Sequence, residues 1–390
     1  MRSLLSAVAK TTATTRTRRV RVTPTAAALA AVATVSTVAL AGCGSESDDV
    51  EGDEEGVVGV VATPSDSPEA TNPVGEVSQG EPVTGLVRAS LNSSGTADSD
   101  AEGEPVPVAS LENGNLVIGS LADLADVAGG DAETVAVGED CTTISGTVDG
   151  VVLGCGSTVR IFDNEGTETS SVDAPGPVTS VTQSPSGTLL VSVEDSDKSY
   201  WLDTDGEEIS SETMTDTADG VTLVGNTRNS DDDGAPEWRA ALIDAAQSSV
   251  TDLGIDDQER KAALRIGQGV GTVSAGIDPD GVLVASDPRQ GQALVYTLTD
   301  VIRHTQSVPT GDGTWAVLWD SARELMWVST TGDNTLTAYD LSSGTPESVG
   351  DVSTSADVRH IIDDGSGDLL LITADGSREL IPADDLPRKD

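Results

Sequence analysis

The chain has 390 residues and a formal net charge of −45, with 66 acidic against 21 basic residues. Such a polyanion offers no basic patch to release counterions from nucleic acid, and charge will not hold it on anionic lipid headgroups. Aromatic residues are only 2% of the chain, so any core must come from Val, Leu, Ile and Ala, of which the β-branched members favour sheet.

The charge is unevenly placed. Residues 1–42 hold Arg2, Lys10, Arg16, Arg18, Arg19 and Arg21 and no acidic residue, which leaves 15 basic against 66 acidic residues after Gly42. An acidic surface of this density keeps a protein soluble, and it also suits a cationic partner or Ca²⁺. An apolar, Ala-rich run from Ala26 to Ala41 follows the basic stretch and ends in Leu40-Ala41-Gly42-Cys43. This resembles a bacterial lipoprotein signal peptide with its lipobox. The resemblance implies that residues 1–42 are cleaved and that Cys43 carries a diacylglycerol. It also implies an address on the outer face of the cytoplasmic membrane, with the bilayer as partner through that lipid. The alternative is an uncleaved anchor, for which about 17 weakly apolar residues is the low edge of a span. Residues 43–79 are Ser, Gly, Pro, Asp and Glu with few large apolar residues, which reads as a flexible acidic tether interrupted by Val57–Val61.

From residue 80 to residue 388 a strand-forming stretch closed by an aspartate recurs. It ends at Asp123, Asp163, Asp203, Asp244, Asp300 and Asp340, with a looser copy at Asp384; most intervals are near 40 residues, and that from Asp244 to Asp300 is 56. The aspartate can accept a hydrogen bond from the backbone two residues on and so start a hairpin. Asp163-Asn164-Glu165-Gly166 and Asp203-Thr204-Asp205-Gly206 then place Gly where φ must be positive. A second turn, at Ser184-Pro185-Ser186-Gly187, Asp278-Pro279-Asp280-Gly281 and Asp364-Gly365-Ser366-Gly367, precedes an apolar run each time. Two turns per period of about 40 residues predict an all-β fold, a seven-bladed β-propeller of four-stranded antiparallel blades.

The blades differ in clarity. The first is irregular, with strands expected near Leu86–Leu91, Pro105–Leu111 and Leu116–Leu121. In the second, Cys141 and Cys155 lie symmetrically about Val148, and a hairpin there sets them opposite each other for a disulfide. Zinc is disfavoured, since His304 and His360 are the only histidines. The third blade shows four clean strands, Val178–Thr182, Thr188–Val193, Ser199–Leu202 and Glu208–Thr213. In the fourth, Asn229–Gly234 resembles a calcium loop but has Ala240 where a bidentate Glu belongs, so Ca²⁺ is at most weakly favoured. The 56-residue interval suggests an insertion in blade five around Asp252–Gly271, with a helical turn at Glu259–Lys261. Trp319-Asp320 in blade six lies outside the strand-ending position and lacks a Gly-His partner, which argues against a WD40 repeat. Trp315, Trp319 and Trp327 read as inter-blade packing. Blade seven offers Val358–Ile362, Leu369–Thr373 and Arg378–Ile381 and needs one more strand, which Val57–Val61 or Val83–Leu91 could supply.

Lipobox, acidic tether, paired cysteines and Asp-ended blades together resemble actinobacterial cell-envelope propeller lipoproteins of the LppL type. The blades are similar to the YVTN/YncE-like group of quinoprotein-dehydrogenase-like propellers. The resemblance implies a seven-bladed propeller at the envelope and brings no catalytic residue with it. The sequence holds no Gly-x-Ser-x-Gly, His-Glu-x-x-His or Walker motif and points to no cofactor or metal site. The candidate channel ligands are Arg359 and His360, on the expected innermost strand of blade seven. The expected role is a binding or scaffold module that contacts an envelope protein or a wall polymer. The alternatives are a lactonase or quinone-dependent dehydrogenase with a channel site, and a calcium-stabilised structural propeller.

Overall fold

A computed structural model describes residues 59–91, 105–226, 236–277 and 279–389. Within them, seven four-stranded antiparallel sheets follow one another as blades of a ring. The innermost strands are Gly85–Arg88, Cys141–Gly146, Val178–Gln183, Gly220–Asn226, Val273–Ala275, Thr314–Asp320 and Val358–Ile362. Each neighbours the next, and that of blade seven lies against that of blade one, so the ring is closed.

Each blade packs both faces against its neighbours, so its second strand is covered on both sides and reads as a continuous apolar run. Leu189–Val193 is buried throughout, and Val152, Val159, Val181, Leu189 and Leu202 interlock between blades two and three. Outermost strands such as Glu208–Thr213 face solvent on their edge and carry polar residues. In blade three all four observed strands lie within a residue of their expected bounds.

The repeated aspartate does what its chemistry suggests. Asp163 Oδ1 accepts from the backbone N–H of Glu165 at 3.0 Å and Thr167 at 2.8 Å, and Asp203 Oδ1 accepts from Asp205 and Glu207 at 2.9 Å each. Gly166 and Gly206 close these turns with φ of 84° and 83°. Four copies depart from the rule. Asp300 lies three residues past the strand Gln292–Thr297, and Asp384 sits in a 3-10 turn, Ala383–Asp385. In blade one Ser120 and Asp123 form a capping box on a short helix, Leu121–Ala125, instead of ending a strand.

Asp244 ends the second strand of blade four, Glu237–Asp244, where the other copies follow a third strand. It builds an equivalent turn there, accepting from Gln247 N–H at 2.8 Å and from the Thr217 hydroxyl at 2.7 Å, so sequence alone does not separate the two positions. The expected insertion in blade five is therefore corrected. Ser249–Gly254 and Arg260–Arg265 are the third and fourth strands of blade four, and Arg260-Lys261 opens a strand, not a helical turn. The extra length belongs to the first hairpin of blade four, between Gly220–Asn226 and Glu237–Asp244.

Ring closure is also corrected. The fourth strand of blade seven is Glu76–Ser78, antiparallel to Arg378–Ile381 with Val77 opposite Glu379. Val60 and Val61 are exposed, and the segment after Val83 forms the innermost strand of blade one. A three-residue outer strand needs no apolar pattern, which is why Glu-Val-Ser gave no signal.

Residues 59–79, which composition assigns to the tether, lie along the ring. Gly59 N–H donates to Ala246 O at 2.8 Å in blade four, and Arg289 in blade five donates to Val60 O at 2.7 Å. In blade six Asn334 donates to Pro68 O at 2.8 Å, and the Ser67 hydroxyl accepts from Asp357 N–H at 2.8 Å. Gly75 N–H then reaches Glu379 Oε1 at 3.0 Å in blade seven. The segment is a strap over four blades that delivers the closing strand.

Candidate functional site

The seven innermost strands enclose a central cavity of about 370 Å³. Glycines let these strands approach: a Cβ on Gly85 would lie 2.3 Å from Ile144 Cγ2, and one on Gly146 would lie 2.3 Å from Arg88 O. The lining is mostly Thr, Ser and Gly with Val, Leu and Ile, and its ionisable members are Arg88, Asp219 and His360.

The strands run the same way along the bore, so residues at their ends share a level. Arg88 ends the innermost strand of blade one and closes that end. Its Nε donates to Asp363 O at 3.1 Å, its Nη2 pairs with Asp363 Oδ1, and its Nη1 crosses to Ala275 O of blade five at 2.9 Å. Both Arg88 and Asp363 are buried. Burial pushes the Asp363 carboxyl up, and Arg88 opposes that shift.

Asp219 stands at the other end, just before the innermost strand of blade four. It is an exposed residue that lines the cavity. Oδ1 accepts from Ala245 N–H at 3.1 Å. Burial raises its pKa, the Ala245 bond opposes, and Asp244 nearby raises it further.

The two candidate ligands of blade seven separate. His360 lines the bore midway along its strand, and its ring has no hydrogen-bond partner among the described residues. Its pKa is lowered to about 4, first by burial and then by the Arg359 and Arg378 charges, so the ring is neutral at physiological pH. Arg359 occupies a bulge, pairs with Asp357 at 2.5 Å and lies over the Trp315 ring, 5.6 Å from its centroid. It does not line the cavity, so the pair does not act on one ligand there. His304, in the matching Arg-His pattern, lies on an outermost strand with Nε2 2.8 Å from Gln306 O.

Cys141 and Cys155 form the disulfide, directly opposite in the hairpin of blade two. The tryptophans pack between blades: Trp319 donates to Asp280 Oδ2 at 2.6 Å between blades five and six, and Trp327 is buried between six and seven. Cys43 and the acidic run Asn229–Gly234 lie outside the described residues. Among the described residues no cluster of three His, Cys, Asp or Glu could hold a metal, and no helix is long and apolar enough to cross a membrane.

Sequence reading missed the buried arginines. Arg239 grips Asp252 through Nε at 3.0 Å and Nη2 at 2.5 Å and donates to Asp300 O of blade five at 3.0 Å. Arg378 of blade seven pairs with Glu112 of blade one at 2.7 Å. The available signal is an Arg inside an apolar strand, as in Leu86-Val87-Arg88 and Trp238-Arg239-Ala240, in a chain where basic residues are scarce.

No protein-family model matches the sequence, and no curated protein matches it. Among solved structures the chain is similar to one titled "Crystal Structure of Mitotic Checkpoint Complex", at TM-score 0.58 and 15% identity over 83% of this chain and 99% of that one. It is also similar to a streptogramin B lyase, at TM-score 0.53 and 12% identity over 78% of this chain and 97% of the lyase. At these identities the likeness is one of fold: the chain is a seven-bladed β-propeller.

Proposed function

We propose that this chain is an exported, lipid-anchored propeller of the LppL type that acts as a binding module at the cell envelope. The N-terminal sequence supports the address, with a basic stretch, an apolar run and Leu40-Ala41-Gly42-Cys43 in order. The observation that carries the binding role is the state of the channel's charged groups. Arg88 and Asp363 are committed to each other in the floor, which leaves one carboxylate and one neutral imidazole on separate blades. Among the residues lining the cavity no nucleophile stands with a base. The propeller then presents this cavity and two loop-bearing faces to an envelope protein or wall polymer.

Two experiments test this. Cys43→Ala is expected to release the protein from the membrane fraction or leave an unprocessed precursor. Unchanged partitioning with unchanged N-terminal mass contradicts lipidation. Cross-linking in intact cells is expected to recover an envelope partner with the anchored protein, and none with the released variant. A second reading, a propeller enzyme, draws on His360, a neutral imidazole among the cavity-lining residues. Turnover of any substrate that His360→Gln abolishes would favour it.

A further inference from the structure

The two ends of the bore have opposite electrostatic characters. At the floor the Arg88 cation is neutralised by buried Asp363, and its guanidinium is fixed by backbone carbonyls of blades five and seven. At the mouth Asp219 is exposed, lines the cavity and has no basic partner among the described residues. The whole chain carries a net charge of −45, and a cleft in such a molecule concentrates cations and repels anions. Burial and the neighbouring Asp244 charge raise the Asp219 carboxyl, and an incoming cation would relieve that cost.

Midway along the bore His360 lines the cavity on the strand face turned to blade one, and its neutral imidazole has one nitrogen that accepts a hydrogen bond. Blades four and seven face each other across a seven-membered ring, so the two groups flank the lumen from opposite sides. Val221, Val273 and Ile361 are among the apolar residues that line the cavity. A cavity of about 370 Å³ suits a small molecule, and the strap residues do not line it.

We propose that the central channel binds a small organic cation of the primary alkylammonium class. Asp219 supplies the counter-charge at the mouth, His360 accepts a hydrogen bond from an N–H of the ligand, and the apolar wall covers its carbon chain. The proposal rests on the channel being a binding site and not a reacting one.

The test is calorimetry on the full chain in detergent with n-butylammonium chloride, against n-butanol and sodium butyrate. Butylammonium is expected to bind, with the alcohol and the anion weaker by about tenfold or more, the usual scale for losing a charge partner. Asp219→Asn, which keeps an Oδ1 acceptor for Ala245 N–H, is expected to cut the affinity about tenfold. His360→Phe is expected to weaken it less, and His360→Gln, which keeps an acceptor, to restore part of the loss. Absence of butylammonium binding, equal binding of butanol or butyrate, or unchanged affinity in Asp219→Asn each overturns the proposal. An anchored protein that cross-links to a partner and ignores butylammonium loses this proposal alone. Chemical conversion of the bound amine would instead remove the binding-module reading.

Discussion

The floor and the mouth of the channel use similar residue types to opposite ends. At the floor, each polar group of Arg88 that the structure places has a partner, and the guanidinium joins blades one, five and seven across the bore. At the mouth, Asp219 keeps open acceptor capacity, and His360 further in has no partner among the described residues. Satisfied buried polar groups fix a structure, because breaking one leaves its partner unpaired and desolvated. Unsatisfied ones facing a cavity cost stability that a ligand can return. The floor is thus part of the frame, and the mouth is where recognition belongs.

The largest effect should come from the floor. Arg88→Met leaves the Asp363 carboxylate buried without its cation, and breaking such a pair costs about 3–5 kcal/mol. Urea denaturation should show a lower midpoint with little change in slope. A loss below about 1 kcal/mol would mean that the floor pair adds no more than an exposed surface pair. Next comes the disulfide, which ties the innermost strand of blade two to its neighbour, beside Thr142 and Thr143 of the channel wall. Replacing both cysteines by serine should cost about 3 kcal/mol through the entropy of a loop of about 15 residues. Blade two should still pair in register, since the other strand partners are untouched.

The smallest effect belongs to His360 and depends on pH. Its folded pKa of about 4 lies below that of the unfolded chain, near 6.5, so the unfolded state takes up the proton first. Stability that is complete above pH 6.5 is lost as pH falls through the folded value. His360→Phe should remove that component, on the order of 1–2 kcal/mol after allowing for channel water. Identical acid profiles for variant and parent in chemical denaturation would contradict the buried setting of this ring.

Much of the ring was legible in the sequence because its signals are local. The Asp turn, the Gly at positive φ and the doubly covered second strand are set by residues a few positions apart, and blade three and the first three strands of blade seven followed from them. What failed was whatever needed a partner far along the chain. Glu76–Ser78 is a strand only because Arg378–Ile381 lies open beside it. Asp244 also starts a turn, by accepting from Gln247 N–H, and only the pairing of Ser249–Gly254 with Glu237–Asp244 reveals that it closes a second strand. The candidate site divides in the same way. Strand position placed His360 near the axis, but the bulge at Arg359 turned that side chain onto Trp315. Arg88 and Asp219 acquire meaning only from the blades opposite them.

The measurement that tests the central claim most directly is the titration of the two imidazole Cε1 protons by NMR, with and without n-butylammonium. The chain has only two histidines, so His304→Gln assigns both signals. The account predicts that the His360 signal titrates near pH 4 and moves on adding the ammonium, while that of His304 on the outer strand does not respond to it. A His360 signal that titrates near 6.5 and ignores the ammonium would contradict both the enclosed channel and its role in recognition.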